Sequence, residues 1–521
     1  MRLRESIISE FKHLAEDYQK RYNKRMTRNW WRTKTSFSAR DVEKIFGTYG
    51  ALANKVIGKK DEAKLRTRAS VDIKKKSTEG GTFFVTSIVE GSDVSRPFLR
   101  AIDTFCKQNK AKRVLLWTRP VYRENRFSSE QLEEFQNDLA TSFTFNNNLT
   151  ACDFMIHPTQ LLPLTGLARF GNREHSIIVA SPKQHMSSVP RERQGKPHTL
   201  WTTGTVSLPT YSNTRQGSLS KQDQVLGGLV VEVFDNKKFN IRPVQFKGHG
   251  FIDLGTEYRD DGTTQKVKAE AIVWGDLHLS EEDEMAVKVS IDQTKFLNAK
   301  NIIIHDVCSW NSVSAHDKNK FIVKKGLPVR TLLQDYEETA TKLSEIIKQL
   351  GLNTATLHIV KSNHDLWVKR WVEEGDFIKD RNNSVAGAYA FIDFCSGIDP
   401  IEKEIKARVD NDERLHFLKE NESLKIAGYE LGQHGENGAN GSKGSLQSFG
   451  RSHNKIVIGH SHSPGIYYNA IQVGTNSKFD LPYTKGSSSW MHANCVIYPN
   501  GTYQLLTFID KDWKKGLDTK K

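Results

Sequence analysis

The stretch Ala271-Ile-Val-Trp-Gly-Asp276-Leu-His278-Leu-Ser280 decides how this chain reads. An apolar run of this kind predicts a buried strand, and Asp276 and His278 fall just past its end. In α/β sheets ligand sites gather outside the carboxyl ends of strands, where a reactive pair belongs. An Asp and a His two apart in extended chain point the same way, which suits one hard or borderline cation. Alone, Asp-x-His is a weak signal. Four further segments repeat the arrangement. Residues 301–304 lead into His305-Asp306, and 356–360 into Ser362-Asn363-His364-Asp365. Residues 424–431 lead into Gly432-Gln-His434-Gly435, and 456–458 into Gly459-His460-Ser461-His462. A capping Asp, a surface His or a turn Asn explains each one singly; five in order in one C-terminal region do not arise that way.

Length and composition set the frame. A chain of 521 residues is too long for one ordinary domain. With 37% hydrophobic and 10% aromatic residues it can bury real cores. No apolar run approaches the roughly 20 residues that span a bilayer. The stretch Met1-Arg-Leu-Arg-Glu5 lacks the apolar centre of a signal peptide, so a cytoplasmic location and no membrane partner are expected. Five widely spaced cysteines without C-x-x-C spacing fit reduced thiols rather than a disulfide frame or a cysteine zinc site. The net charge is +15, and residues 1–76 hold 21 Lys and Arg against 9 Asp and Glu, a balance of 21 − 9 = +12. Such a block is the footprint of phosphate-backbone binding, or more blandly a solvated basic face.

In chain order, apolar spacing at Ile8, Phe11, Leu14, Tyr18 and Tyr22 predicts a helix. A basic aromatic stretch from Arg25 to Lys34 follows. Two short helices then meet at a Gly-containing turn, with Ser38 as N-cap and Asp41 three residues on, which allows a helix-turn-helix. Trp30 and Trp31 could stack on bases, though core packing fits them better. Residues 59–80 read as a linker. Thr82 to Val89, a helix through Phe98, Ile102 and Phe105, and Arg113 to Trp117 predict a β-α-β unit. Further strands are expected at Ile177-Ile-Val-Ala180, from Thr199, and over 229–233, with no chemistry assignable to them; His185, His198 and His249 read as structural. In the third part Ser280 is expected to cap a helix, Gly351 to end another, and a helical excursion to about Phe417 to lie beside the site. A hairpin turned at Asn500-Gly501 closes a layered α/β sandwich. The expected domains are 1–76, 81–265 and 266–521.

Asp276-x-His278, Asp306, Asn363-His364-Asp365, His434 and Gly459-His460-x-His462 together resemble the metallophosphoesterase (calcineurin-like) superfamily over roughly the last 250 residues. The resemblance implies a C-terminal four-layer α/β/β/α sandwich, here preceded by an α/β middle domain and a small basic helical domain. It implies that one divalent metal ion takes Asp276, His278, Asp306 and His462, and a second takes Asp306, Asn363, His434 and His460, with Asp306 bridging. It implies His364 as general acid with Asp365 orienting its ring. Oxygen and nitrogen donors without thiolate suit Mn2+, and Zn2+, Fe2+ or Mg2+ would also coordinate. The chain departs from the family pattern at His305 and Ser362, where glycines are usual, and at Ser309, where an Asp is usual. His316, His453 and His492 lie near the motifs without an assigned role. The nuclease branch, similar to double-strand-break repair nucleases, is the nearest analogy, although those proteins place the catalytic domain first. The layout resembles large phage proteins that degrade host DNA. DNA is therefore the expected partner, in the host cytoplasm, for a chain expected to form homo-oligomers. A phosphatase acting on nucleotides or phosphoproteins, and a non-catalytic DNA-binding protein with a relic metal site, are the rival readings.

Overall fold

The computed structural model describes residues 2–22, 26, 28–56, 74–77, 80–118, 134–152, 154, 156–170, 175–192, 198–314, 330–351, 355–409, 413–481 and 484–516. Most of the linker expected over 59–80, and His316, lie outside the described residues. The chain divides into two compact units, Met1–Val71 and Asp72–Lys521.

The first unit is helical, with helices Arg2–Tyr22, Arg28–Lys34, Ala39–Phe46 and Tyr49–Val56. The second of these is a helix where sequence offered only a basic aromatic stretch. Ser38 and Asp41 form a reciprocal capping box at the start of the third, which fixes where it begins. Trp31 is buried, its ring 5.6 Å from both Phe11 and Tyr49, and Trp30 meets Tyr18 edge-on at 4.9 Å. Both tryptophans serve the small core rather than a base-stacking surface.

The second unit is mixed α/β. A six-stranded sheet runs Leu415–Phe417, Thr356–Ile359, Asn301–Ile304, Ala271–Val273, His492–Ile497, Tyr503–Phe508. Its first four strands are parallel and its last two form the antiparallel hairpin closed beside Asn500-Gly501. Alternation separates its faces. Ile272, Trp274, Ile302, Ile304, Leu357 and Ile359 pack on helices Glu284–Leu297 and Leu332–Leu350. Val273, Ile303, Cys495 and Leu505 face a second sheet through a shared core that includes Leu431, Val457, Ile471 and Val473. Behind that second sheet, helix Leu446–Ser452 packs Phe449 on Ile456, Ile458 and Ala470. The order of layers there is helix, sheet, sheet, helix.

Two local expectations are corrected. Residues 424–431 are not one strand but a tight hairpin, Lys425–Ile426 against Tyr429–Glu430, because Ala427 and Gly428 both take positive φ (48° and 85°) as such a turn demands. Asp283, not Ser280, caps helix Glu284–Leu297, accepting from the Ala286 N–H, while Ser280 sits at φ 99° in the preceding loop. The second sheet has eleven strands and continues into the middle segment through Met186–Val189, which pairs antiparallel with Gly465–Tyr467. Residues 81–265 and 266–521 are thus parts of one compact unit.

Replacing Trp31 by Ala should remove the central ring of the N-terminal core. Truncations of this kind cost about 3–5 kcal/mol. Far-ultraviolet dichroism during heating should show early helix loss in this variant, while the sheet signal melts as in the parent.

Candidate metal centre

Each expected ligand sits at a strand end or in the loop just beyond one. Strand Ala271–Val273 delivers Asp276 and His278, Asn301–Ile304 delivers Asp306, Thr356–Ile359 delivers Asn363, and Ile456–Ile458 delivers His460 and His462. The parallel pairing carries on past the strands, with Leu277 N–H donating to His305 O at 3.0 Å and His278 N–H to Asp306 O at 2.7 Å. Asp276 and Asp306 are thereby held side by side. His278, Asp306, His460 and His462 all take positive φ (49°, 45°, 73° and 58°). Backbone strain of this sort collects at functional sites, where the surroundings enforce it.

Asp276, His278, Asp306 and His462 converge, with one donor atom from each lying within 4.8 Å of all the others, and all four are buried. His278 Nε2 and His462 Nε2 face each other at 3.0 Å. His462 Nε2 lies 3.2 Å from Asp276 Oδ2, and His278 Nε2 lies 3.4 Å from Asp306 Oδ2. The same Asp306 Oδ2 is 3.2 Å from His434 Nε2 on its other side. His434 Nε2 is in turn 3.1 Å from Asn363 Oδ1, which lies 3.0 Å from His460 Nδ1. All seven residues therefore join in one continuous set, with Asp306 Oδ2 common to both halves.

The donor set fits cations better than it fits itself. Both carboxylate oxygens of Asp276 and Oδ1 of Asp306 are buried with no hydrogen-bond donor. Buried carboxylates without donors are costly unless a positive charge meets them. Burial pushes the His278 imidazole down to about 3 and that of His460 down to about 4, which leaves neutral rings with free lone pairs. Burial would raise Asp306, but His434, His364 and His278 outweigh it and hold its carboxyl well below the ordinary range. Conversely, burial opposes charge on His434, yet the Asp306 carboxylate wins and lifts it to about 10.

Several supporting residues were not legible as such in the sequence. The Ser309 hydroxyl lies 3.2 Å from His278 Nδ1. With the ring proton on Nδ1 the Ser309 oxygen accepts it, and Nε2 stays free for the centre. His305 and Ser362 are not among the residues with positive φ, so neither position needs the glycine that is usual there. The His305 ring is buried beside that of His434, with Nδ1 atoms 3.4 Å apart. Asn494 Oδ1 accepts from the Gly275 N–H at 2.8 Å, tying the first motif to the closing hairpin. Trp490 packs edge-on against His462 at 4.1 Å.

His364 is buried with its Nδ1 3.2 Å from the Ser309 carbonyl and its ring 4.0 Å from that of Trp367. Asp365 does not orient this ring. Its carboxylate accepts from Trp310 Nε1 (2.8 Å), Ser362 N–H (2.9 Å) and Ser362 Oγ (3.2 Å). The reason is positional: Asp365 opens helix Asp365–Glu373 and folds back on the turn before it. The Ser309 carbonyl is what fixes His364. His453 contacts Ser452 and Gln433, and His492 contacts Thr475 O, so both are held by structure. His185 and His198 are buried in the middle segment and His249 lies beside Asp260, all away from the cluster's residues.

No family model matches the chain. It is similar to "Protein A1" of Escherichia phage T5, with 26% identity over 467 residues covering 82% of each chain. Among the described residues no helix is long and apolar enough to cross a membrane.

Two outcomes test the centre. A Cβ on residue 459 would collide with Asp276 Oδ1, so Gly459→Ala should abolish tight Mn2+ binding in equilibrium dialysis while the fold survives. His434 must shed its proton to act as a ligand. In the metal-free protein its raised value stabilises the fold fully below about 6.5 and loses that contribution as pH rises through about 10. Metal binding near neutrality should therefore release about one proton and strengthen as pH rises. Calorimetry in buffers of different ionisation enthalpy reads this directly.

Proposed function

We propose that the chain is a two-metal phosphodiesterase that hydrolyses DNA, with Asp276, His278, Asp306 and His462 holding one divalent cation and Asp306, Asn363, His434 and His460 the other. The observation that carries this reading is the position of Asp306 Oδ2, 3.4 Å from His278 Nε2 and 3.2 Å from His434 Nε2, between two donor sets that each want a cation. The layering of the C-terminal half agrees with a metallophosphoesterase sandwich. Bound there, the cations would supply Lewis acidity toward a phosphate and lower the pKa of a shared water. The mix of carboxylate, amide and imidazole donors suits Mn2+.

The chain's own residues do the rest. Hydrogen bonding to Ser309 O makes His364 Nδ1 a donor and leaves Nε2 as the atom that gives a proton to the departing oxygen. Asp365 acts at one remove: by holding Trp310 Nε1 and the 362–365 turn it keeps the Ser309 carbonyl and His364 in register. Trp367 covers the His364 ring and limits water around it. DNA is favoured over small phosphate esters by the +12 balance of residues 1–76, since duplex DNA is a dense line of negative charge. Similarity to a phage protein supports a phage-related role, and in this reading that role is host DNA breakdown.

Incubation of purified protein with linear and closed circular duplex DNA, with Mn2+ or Mg2+, tests this. Cleavage should require metal. His364→Ala should slow it about 10²–10⁴-fold, the span of general acid catalysis, without lowering metal occupancy. Metal-dependent turnover of p-nitrophenyl phosphate with DNA left intact would assign the centre to a phosphatase instead.

A further inference from the structure

Among the described residues, the segment before the metal centre repeats the topology of the segment that carries it, save for the edge strands Leu415–Phe417 and Lys74–Lys76, which have no counterpart. Strand Gly81–Val89, helix Arg96–Asn109, and strands Lys112–Thr118 and Leu139–Ala140 form a parallel set closed by the antiparallel hairpin Gly227–Val233 and Phe239–Gln245. In the C-terminal half the same places are taken by Ala271–Val273, Glu284–Leu297, Asn301–Ile304, Thr356–Ile359 and the hairpin His492–Ile497 and Tyr503–Phe508. The correspondence holds in the second layer. Ser142–Asn146 is antiparallel to Leu149–Cys152, which is parallel to Ser176–Val179; that is parallel to His198–Thr202, which is antiparallel to Met186–Val189. Lys425–Ile426, Tyr429–Glu430, Ile456–Ile458, Ala470–Gln472 and Gly465–Tyr467 repeat each orientation in the same order.

The two sets meet at like elements. Met186–Val189 pairs antiparallel with Gly465–Tyr467, its counterpart, which makes one eleven-stranded sheet out of two half-sheets. An antiparallel pairing of equivalent strands is what a local two-fold axis produces.

Local chemistry repeats too. Gly204-Thr205-Val206-Ser207 and Gly474-Thr475-Asn476-Ser477 share Gly-Thr-x-Ser. Thr205 Oγ1 donates to Ser87 O at 2.9 Å, and Thr475 Oγ1 donates to Asp276 O at 2.9 Å. Each threonine oxygen then accepts from the N–H two residues on, Ser207 at 3.1 Å and Ser477 at 3.0 Å. Val206 N–H reaches Ser87 O at 2.9 Å as Asn476 N–H reaches Asp276 O at 2.8 Å. Ser87 therefore stands where Asp276 stands.

Three other ligand places follow from register. Val179 pairs with Thr202 as Ile458 pairs with Gln472, which sets Ala180, Ser181 and Lys183 at the places of Gly459, His460 and His462. Thr150 pairs with Ile177 as Glu430 pairs with Ile456, which sets Phe154 at the place of His434. None of Ser87, Phe154, Ser181 and Lys183 offers a carboxylate or an imidazole. The Ser87 hydroxyl is turned onto Gly204 O at 2.6 Å, and Lys183 is fully buried with Nζ donating to Pro158 O at 3.0 Å. The substitutions agree with one another. A methyl at the place of Gly459 is tolerable beside a short Ser87, whereas beside Asp276 it would collide.

We infer that residues 81–245 are a second copy of the fold that carries the metal centre, with its own ligands lost, so that each chain is a fused pseudo-dimer of one metal-binding half and one inert twin. The duplication rests on topology and hydrogen bonding alone; the assignment of one binding half rests on the metal reading above. The partner of the catalytic half is thus supplied within the chain, where the twin covers the edge strand Gly465–Tyr467 that would otherwise be open.

Two measurements on the full-length protein test it. Arg191 and Ser488 are bridge partners at the joint, each N–H donating to the other's carbonyl (2.9 and 2.8 Å). Such pairs lie about 5.5 Å apart at Cα, within disulfide reach. In a Cys395→Ser background, Arg191→Cys with Ser488→Cys should form an intramolecular disulfide on mild oxidation, seen as a faster monomer band on a non-reducing gel. Failure to cross-link, or only cross-linked oligomers, would overturn the fused arrangement. Metal counting by mass spectrometry after dialysis against Mn2+ tests the inert twin. Wild type, Ser87→Ala and Ser181→Ala should all hold the same two ions per chain, and Asp276→Asn or His460→Ala should hold fewer. Four ions in wild type, or loss in Ser87→Ala or Ser181→Ala, would refute the inert assignment. A wild type that binds none would sink the metal reading, while the cross-link still decides whether the halves are fused.

Discussion

The structure turns on one buried carboxylate. Asp306 is 1% exposed, and its Oδ2 is approached by imidazoles of two different loops. A carboxylate in that position is unfavourable on its own, because burial removes its water and neither Asp306 Oδ1 nor Asp276 meets a hydrogen-bond donor. It is tolerable only where positive charge is fixed around it. The surrounding architecture can be understood as the means of keeping seven polar side chains from five strand ends and their loops within reach of that oxygen.

That demand explains the local strain. Left-handed backbone at a non-glycine residue costs on the order of 1–3 kcal/mol, and His278, Asp306, His460 and His462 all adopt it. The cost is met by rigid neighbours. Parallel strands lock Leu277 and His278 onto His305 and Asp306, and Asn494 holds the Gly275 N–H. The glycines at 275 and 459 are empty of side chain because Thr475 and Asp276 occupy the space beside them. The Ser309 hydroxyl adds a further hold, on the far nitrogen of His278.

A fused twin gives the middle segment a physical role that no motif in it advertises. An open edge strand is a site for unwanted pairing, and here the edge is closed by the equivalent strand of the other half. With no ligand set of its own, the twin fills its centre with groups that satisfy each other or the backbone: Ser87 on Gly204, Gln184 on Gly228 and Val244, and Lys183 on Pro158.

The sequence by itself singled out the candidate ligands and most of the strands that carry them. Asp276, His278, Asp306, Asn363, His434, His460 and His462 stood out because each lies just past an apolar run and because their ordered set resembles a known superfamily, both of which are readable along the chain. The capping box at Ser38 and the Asn500-Gly501 hairpin were legible for the same reason. Tertiary structure alone decided the rest. That Ser309 rather than Asp365 fixes His364, and that residues 81–245 repeat the fold of 271–508, depend on contacts between distant segments. The duplication left only Gly-Thr-x-Ser as a trace, because a twin released from binding metal keeps the strand order its core requires and nothing of the ligands that made the motif visible.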